Sequence, residues 1–291
     1  MNCYRCIDIG GTSIKHACFN ENGERLSETQ EITVQQTPGN HEIVDTLHQI
    51  IQADQSIDGI AISTAGVVDR ASGSIQYAGY TIPDYTGTPL KQIVESTYNI
   101  PCFVENDVNS ACLGEYWKGA AKNASSVVCL TIGTGVGGAV MFDGKLWYGA
   151  TGTAGELGYI PIQGSYFQDL ASTTALVQDV MKHHPSDQIF DGRKVFANAK
   201  RGDLICQQAL TRFVDHLVQG LASVQYMINP EVIVLGGGIM AQRELLEPMI
   251  RASLEANMIA SFNTADIRFA ELKNDAGMVG ALYHFLERKE G

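Results

Sequence analysis

The chain has 291 residues, 45% of them hydrophobic and 18% charged, and its 32 acidic and 20 basic side chains leave a net charge of −12. This composition is typical of a globular protein with one large domain or two of moderate size. The acidic balance argues against a nucleic-acid-binding surface, and no apolar run approaches the roughly 20 residues that span a bilayer. We expect a cytoplasmic protein, because the sequence opens directly on a strand without a signal peptide.

The first glycine turn, Gly10-Gly11-Thr12-Ser13, follows a strand predicted over Asn2–Ile9. Further strands are predicted over Lys15–Phe19 and Arg25–Val34. Asp8 stands at the mouth of this turn, where a carboxylate either caps the turn or anchors Mg²⁺ through water, since that ion keeps much of its hydration.

The next segments alternate between helices and a strand. The apolar spacing predicts helices over His41–Ala53 and Leu90–Tyr98, and a buried strand over Asp58–Ser63. This strand leads to Gly66 through small residues that leave room for a ligand. Such alternation indicates an α/β sheet, in which ligands bind beyond the carboxyl ends of strands.

A short strand from Cys102 runs straight into Glu105-Asn106-Asp107, and a helix follows that ends at Gly119. Asp107 has two readings. It is an N-cap, or it is a general base that takes a proton from a substrate hydroxyl as that oxygen attacks phosphorus. In the second reading, Asn106 holds a neighbouring hydroxyl. We place a lobe boundary just beyond Gly119.

The most informative stretch is Val127–Phe142, in which apolar runs flank four glycines within Gly133–Gly138. It predicts two strands joined by a glycine loop, which is either an ordinary hairpin or a phosphate-binding loop. The spacing also fits a dinucleotide fingerprint, but that fingerprint must open a helix. Because the turn near Gly10 has the same pattern, we expect an internal duplication and a phosphate held between the two glycine hairpins.

The second half adds one carboxylate and a long helix. Glu156, among the small residues of Gly149–Tyr159, either faces solvent or binds a polyol. Helices are predicted over Leu170–Lys182 and Asp203–Ile228, and the apolar stripe of the second is either core or a dimer face.

A third glycine turn, Gly236–Gly238, follows a strand predicted over Glu231–Leu235 and precedes a helix from Ala241. It either passes beneath a flat ring such as adenine or is a plain strand-to-helix turn. A late strand is predicted over Ile267–Glu271. The terminal helix, from about residue 276, is expected to pack back on the first lobe.

Six stretches together resemble the ROK family of sugar kinases, within the actin-like ATPase fold group. In chain order they are Asp8-Ile9-Gly10-Gly11-Thr12, Glu105-Asn106-Asp107-Val108-Asn109, Thr131 to Gly138, Gly155-Glu156-Leu157-Gly158, Leu235 to Gly238, and Gly277 to Ala281. The resemblance covers nearly the whole chain. It implies an α/β, two-lobed actin-like (ribonuclease H-like) fold with duplicated mixed sheets flanked by helices, closing over a hexose and ATP-Mg²⁺.

The resemblance also assigns boundaries and site residues. The first lobe would comprise residues 1–119 together with the terminal helix at about 276–291, which packs back on it. The second lobe would comprise residues 120–275. Asp107 matches the catalytic aspartate, and Asp8 would hold Mg²⁺ through water. The expected ATP contacts are Asp8, Gly10, Gly11, Thr12, Lys15, Gly133, Thr134, Gly135, Gly137, Gly237 and Gly238. The expected sugar contacts are Gly66, Asn106, Asp107, Glu156, Tyr159 and Gln168.

The sequence departs from the family in the sugar half. Tyr159 stands where many members have a zinc-binding His, and the run 163–170 lacks the cysteines of that zinc site, so we predict no zinc. Gln168 replaces a Glu that contacts sugar, and Thr81 replaces an Asn. With these replacements, the sugar half of the sequence resembles that of kinases that accept glucose or β-glucosides.

Several alternatives stay open at this stage. N-acetylmannosamine and fructose are other candidate substrates, and a sugar sensor without kinase activity is a candidate of another class. An intact Asp107 argues against the sensor. The resemblance and the stripe from Leu204 to Met227 favour a homodimer.

Overall fold

The structure, a computed structural model, describes residues 2–35, 42–53, 56–79, 82–184, 189–259, 262 and 265–290. Its strands are β1 (Tyr4–Ile9), β2 (Ser13–Phe19), β3 (Gln30–Thr33), β4 (Gly59–Thr64), β5 (Val67–Asp69), β6 (Ser74–Tyr77), β7 (Cys102–Asn106), β8 (Ser126–Ile132), β9 (Val136–Phe142), β10 (Lys145–Leu146), β11 (Pro161–Ile162), β12 (Ser165–Tyr166), β13 (Val232–Gly236) and β14 (Asp266–Phe269). Its α-helices are α1 (Glu42–Gln52), α2 (Leu90–Tyr98), α3 (Asp107–Lys118), α4 (Phe167–Ala171), α5 (Thr173–His183), α6 (Gly192–Lys200), α7 (Leu204–Ile228), α8 (Arg243–Asn257) and α9 (Ala276–Glu290). The expectations for His41 and Thr81 lie outside the described residues.

The chain forms two compact units. The first comprises Met1–Lys122, Tyr148–Ala154 and Asn274–Gly291, and the second comprises Asn123–Trp147 and Gly155–Lys273. The grouping of 148–154 with the first unit had no signal in the sequence, and the lobe boundaries expected from the resemblance stay a prediction. Among the residues that the structure describes, no helix combines the length and apolarity needed to cross a bilayer.

The first unit is built on a five-stranded sheet in the order β3-β2-β1-β4-β7. Strands β1, β4 and β7 run parallel, and β2 and β3 are antiparallel to their neighbours. Helix α9 packs on α3 and on these parallel strands. The helices approach closely because Gly280 of α9 lies against the Ser110 carbonyl, where a Cβ would overlap the oxygen. The carboxyl ends of the parallel strands meet at one edge.

The second unit repeats this arrangement with the sheet order β10-β9-β8-β13-β14. Strands β8, β13 and β14 are parallel, and β9 is antiparallel to β8. The middle of the α7 stripe is core, since Leu210, Leu217 and Leu221 are buried in the unit's hydrophobic cluster. Both ends of the stripe, Leu204 and Met227, are exposed, and the homodimer stays a prediction.

Two local predictions were wrong, and two short strand pairs were missed. Arg25 forms only an isolated antiparallel bridge with Phe19, and the continuous third strand covers only β3, because the Ser27 hydroxyl accepts the Cys18 N–H at 2.9 Å in place of a strand partner. The helix predicted over Leu170–Lys182 is two helices, because Ser172 has extended backbone and its hydroxyl caps the second one at Ala175 N. The short pairs β5–β6 and β11–β12 were not predicted, since strands of two to four residues give little alternation.

Candidate active site

Asp8 lies at the carboxyl end of β1, beside Ser63 of β4 in the parallel register. The Ser63 hydroxyl donates to Asp8 Oδ1 at 2.6 Å, and Lys15 is the antiparallel partner of Asp8 on β2. Burial raises the pKa of Asp8, although Ser63 and Lys15 oppose the change. The N-terminus of α9 closes over this carboxyl group, because a Cβ on Gly277 would lie 2.8 Å from Asp8 Oδ1.

Asp107 is the first residue of α3, directly after β7. Its Oδ1 accepts the Val108 N–H and the Asn106 side-chain N–H, both at 2.9 Å. Burial and the neighbouring Asp8 raise the pKa of Asp107 to about 7. The reading of Asp107 as the N-cap is wrong, because Asn106 has the cap position and its Oδ1 accepts from Val108 N and Asn109 N.

Asn106 holds this turn together. Besides its bond to Asp107, its Nδ2 donates to the Gly66 carbonyl at 2.9 Å. Both amide hydrogens and both oxygen lone pairs of Asn106 therefore have partners within the first unit. The structure thus brings Gly66, Asn106 and Asp107 together, and Gly66 has a φ of +100°, which favours glycine.

The first glycine hairpin joins β1 to β2. The Gly10 N–H donates to the Ser13 carbonyl at 2.9 Å and closes the turn. Thr12 is exposed, and its carbonyl accepts from Val34 N at 3.0 Å. Gly10, Gly11 and Thr12 therefore occupy one ordered turn beside Asp8.

The second glycine hairpin joins β8 to β9, so the prediction of two strands around this loop is confirmed and no helix follows it. Within this hairpin, the Gly133 N–H donates to the Gly135 carbonyl at 2.9 Å, and Thr134 is exposed at the tip. A Cβ on Gly133 would meet nothing within 4 Å, whereas one on Gly135 would lie 2.9 Å from the Gln168 side-chain oxygen. Gly137 is inside the ladder, opposite Thr131.

In the third glycine turn, Gly237 and Gly238 have different surroundings. Gly237 has a φ of +97°, and a Cβ there would overlap the backbone of Ile132. Gly238 begins a 3₁₀ helix, Gly238–Gln242, and a Cβ on it would meet nothing within 4 Å. The helix predicted from Ala241 begins as this 3₁₀ turn and becomes α-helical at Arg243.

The expected sugar contacts of the second unit surround a 3₁₀ helix, Leu157–Tyr159. Glu156 precedes it and is exposed, while partial desolvation raises the pKa of its carboxyl group. Tyr159 is 52% exposed, and its ring meets Tyr166 edge-on at 5.6 Å. A Cβ on Gly158 would lie 3.3 Å from the Gln168 oxygen, which brings Gln168 close to this helix.

Within the described part of the chain, no three His, Cys, Asp or Glu side chains form a group that could hold a metal ion. Four residues of the first unit were not singled out from the sequence: Ser63, Glu105, Tyr148 and Gly277. Glu105 and Gly277 stood inside motifs already recognised, so their position was available. Tyr148 gave no local signal, because its contact is with a residue 43 positions away.

Comparison with known proteins supplies the family. The sequence profile of the ROK family matches residues 4–288. A β-glucoside kinase from Listeria monocytogenes is 31% identical over 97% of both chains. A ROK family protein from Streptococcus pneumoniae, solved in complex with sucrose, is 32% identical with a TM-score of 0.87 over 99% of both chains. A ROK family glucokinase from Streptomyces griseus, solved with glucose and AMPPNP, is 28% identical with a TM-score of 0.85, covering 97% of this chain and 99% of its own.

Proposed function

The chain belongs to the ROK family and is a sugar kinase, and on this premise we propose that it transfers the γ-phosphoryl group of ATP to a primary hydroxyl, at the 6-position, of a hexose or β-glucoside. The observation that carries this proposal is the position of Asp107. It directly follows β7, and burial and the negative charge of Asp8 raise its pKa to about 7. A general base works best when its pKa is near the operating pH.

In the proposed reaction, Asp107 accepts the proton of the sugar hydroxyl as that oxygen forms a bond to the γ-phosphorus. The bond between this phosphorus and the β,γ-bridging oxygen breaks, so ADP leaves and the phosphorylated sugar forms. Asp107 then returns its proton to solvent. The Asn106 and Val108 N–H groups fix Oδ1, which leaves Oδ2 for the substrate.

The residues present fit a magnesium ion held mainly by water and substrate phosphates. The negative charge of Asp8 contributes to the raised pKa of Asp107, so a cation near these two carboxyl groups would offset their repulsion. Asp8 would hold this ion through water, as Mg²⁺ typically uses few carboxylates. When bound, Mg²⁺ supplies positive charge that stabilises the transferred phosphoryl group.

We further propose that the glycine turns bind the nucleotide. In the first unit the candidates are Gly10, Gly11, Thr12 and Lys15. In the second unit they are Gly133, Thr134, Gly135, Gly137, Gly237 and Gly238. The open space beside Gly133 and Gly238 supports this role, because no atom of the described residues would lie within 4 Å of a Cβ at either position, so their packing does not account for glycine there.

The proposed sugar ligands are Gly66 and Asn106 in the first unit and Glu156, Tyr159 and Gln168 in the second. Because both amide hydrogens and both oxygen lone pairs of Asn106 have partners within the protein, we expect it to orient Asp107 and to make only a weak, shared hydrogen bond with the sugar. Relatives named as a β-glucoside kinase and a glucokinase, together with Tyr159 at the position of the zinc-binding His, support glucose or a β-glucoside as the substrate.

The test is ADP release with glucose, cellobiose, N-acetylmannosamine or fructose as acceptor. We expect release with cellobiose or glucose, and Asp107→Ala should reduce turnover by roughly 10²–10⁴-fold while calorimetry still detects sugar binding. Asp45→Ala, which removes an exposed carboxylate from α1, is the matched control. Absence of release with every sugar would point to a sugar-binding regulator, and near-normal turnover of Asp107→Ala would remove Asp107 from the mechanism.

A further inference from the structure

Glu105 is a buried carboxyl group that the proposed reaction does not use. It is the β7 residue before Asn106 and is 2% exposed. Its Oε1 accepts the Asn106 backbone N–H at 2.8 Å and the Asn109 side-chain N–H at 3.0 Å. Its Oε2 accepts the Tyr148 hydroxyl at 2.6 Å. One carboxyl group therefore joins the end of β7, the first turn of α3 and the segment 148–154.

The surroundings make Tyr148 the firm donor to Oε2. His284 Nδ1 lies farther away, at 3.7 Å. Burial lowers the pKa of His284 against the opposing effect of Glu105, and the positive charges of Arg288, Arg70 and Lys91 lower it further, so its ring is neutral at neutral pH. Burial and Glu105 raise the pKa of Tyr148, so this hydroxyl keeps its proton.

Arg70 fixes the ring of Tyr148 in place. Its guanidinium group lies 3.8 Å from the ring centroid. The Arg70 carbonyl in turn accepts from Arg288 of α9 at 3.3 Å. The phenol is thus held on its face by a cation and at its tip by Glu105.

We propose that Glu105 and Tyr148 are positioning residues for the catalytic turn. Tyr148 orients the Glu105 carboxyl group, which holds Asn106 and Asn109, and Asn106 in turn holds Asp107. This proposal rests on the proposed function, because it concerns the geometry of the proposed base. A purely structural role would stabilise the unit without affecting catalysis by the folded protein.

The variant Tyr148→Phe removes only the hydroxyl and leaves the ring beneath Arg70. We expect kcat to fall about tenfold, which corresponds to the loss of one hydrogen bond, with the KM for ATP unchanged. Glu105→Gln should lower kcat further. The double variant should be no worse than Glu105→Gln alone, because the hydroxyl acts through Glu105. Multiplying effects, or an unchanged kcat in Tyr148→Phe, would overturn the proposal.

Tyr116→Phe is the matched control, because Tyr116 lies on the same helix α3 and its ring contacts Tyr283 rather than Glu105. It should leave kcat unchanged.

A second readout does not depend on turnover. Val108 and Asn109 donate their backbone N–H groups to the Asn106 cap. NMR hydrogen exchange of these two amides should become about tenfold faster in Tyr148→Phe and stay unchanged in Tyr116→Phe. Unchanged exchange would overturn the positioning role. Full turnover of Asp107→Asn would instead overturn the proposed base and leave the exchange result standing, so the two failures are distinguishable.

Discussion

The two units have sheets of the same topology but different side chains at the equivalent ladder position. In the first, Asp8 at the end of β1 pairs with Ser63 of β4. The equivalent ladder position in the second unit has Thr131 of β8 opposite Gly236 of β13. One sheet edge therefore has an ionisable group, whereas the other has a hydroxyl and bare backbone. In this duplicated fold, the backbone geometry is repeated, and single side chains determine the chemical character of each sheet edge.

The glycine turns differ in the same way. The first hairpin has four residues between paired Ile9 and Ile14, and the second has three between Ile132 and Val136. In the second unit, Gly237 also packs against the backbone of Ile132. Close backbone packing therefore shapes much of the sheet edge in the second unit. Substituting these glycines one at a time should show which of them are needed for packing and which for binding a ligand.

The largest expected effect is on the packing of the first unit. In Gly280→Ala the new methyl group would overlap the Ser110 carbonyl, so α9 must move away from α3. We expect a loss of about 3 kcal/mol or more in the free energy of unfolding. Urea denaturation measures this loss. Gly238→Ala, with open space around it, is the control, and equal stability of the two variants would contradict the close approach of the helices.

A smaller effect is expected on the pH dependence of the free energy of unfolding, through the carboxyl groups at the sheet edge of the first unit. The raised pKa of Asp107 means that between about 3.8 and about 7 the folded state keeps a proton that the unfolded state has lost. The free energy of unfolding therefore falls as the pH rises through this window, by about 1.4 kcal/mol for each tenfold difference in ionisation constant.

Asp107→Asn removes this contribution. We expect the variant to gain stability relative to the unmodified protein from pH 4 to pH 7, by up to a few kcal/mol. Thermal unfolding across this range measures the change, with Asp45→Asn as the control. Parallel stability profiles of Asp107→Asn and the unmodified protein would show that folding does not raise the pKa of Asp107.

The smallest expected effect concerns the uncharged edge. Gly133→Ala should leave stability unchanged, because a Cβ there meets nothing, but it should raise the KM for ATP about tenfold, or about 1.4 kcal/mol. Gly138→Ala is the contrasting variant, since its Cβ would overlap the Gly155 carbonyl and the protein should lose stability. An unchanged KM in Gly133→Ala would exclude a close approach of ATP to this residue.

Much of the fold could be predicted because its signals are local. Stretches containing isoleucine or valine, followed by glycine or other small residues, predicted β1, β4, β8 and β13, and the apolar spacing predicted α7. The break between α4 and α5 could not be predicted, because Ser172 interrupts an apolar spacing that continues on both sides. The start of β3 depends on the Ser27 side chain, which replaces a hydrogen bond of the strand ladder and leaves no mark in the apolar periodicity.

The candidate site shows the same division. The position of Asp107 after a strand, the two glycine hairpins and the carboxylate at Glu156 followed from the sequence and the family resemblance. Of the two readings of Asp107, the N-cap reading was wrong; Asn106 and Asp107 are both good caps, and only the backbone geometry shows that Asn106 has the cap position.

The sequence by itself determined where strands end in glycine or carboxylate, because those properties depend on neighbours along the chain. Only the tertiary structure decided that Asp8 raises the pKa of Asp107 and that Tyr148 donates to Glu105. Both depend on parallel strands that align their ends and on a distant segment that belongs to the first unit. Electrostatic and hydrogen-bonding interactions act over a few ångströms of space, so residues far apart in sequence acquire them only when the chain has folded.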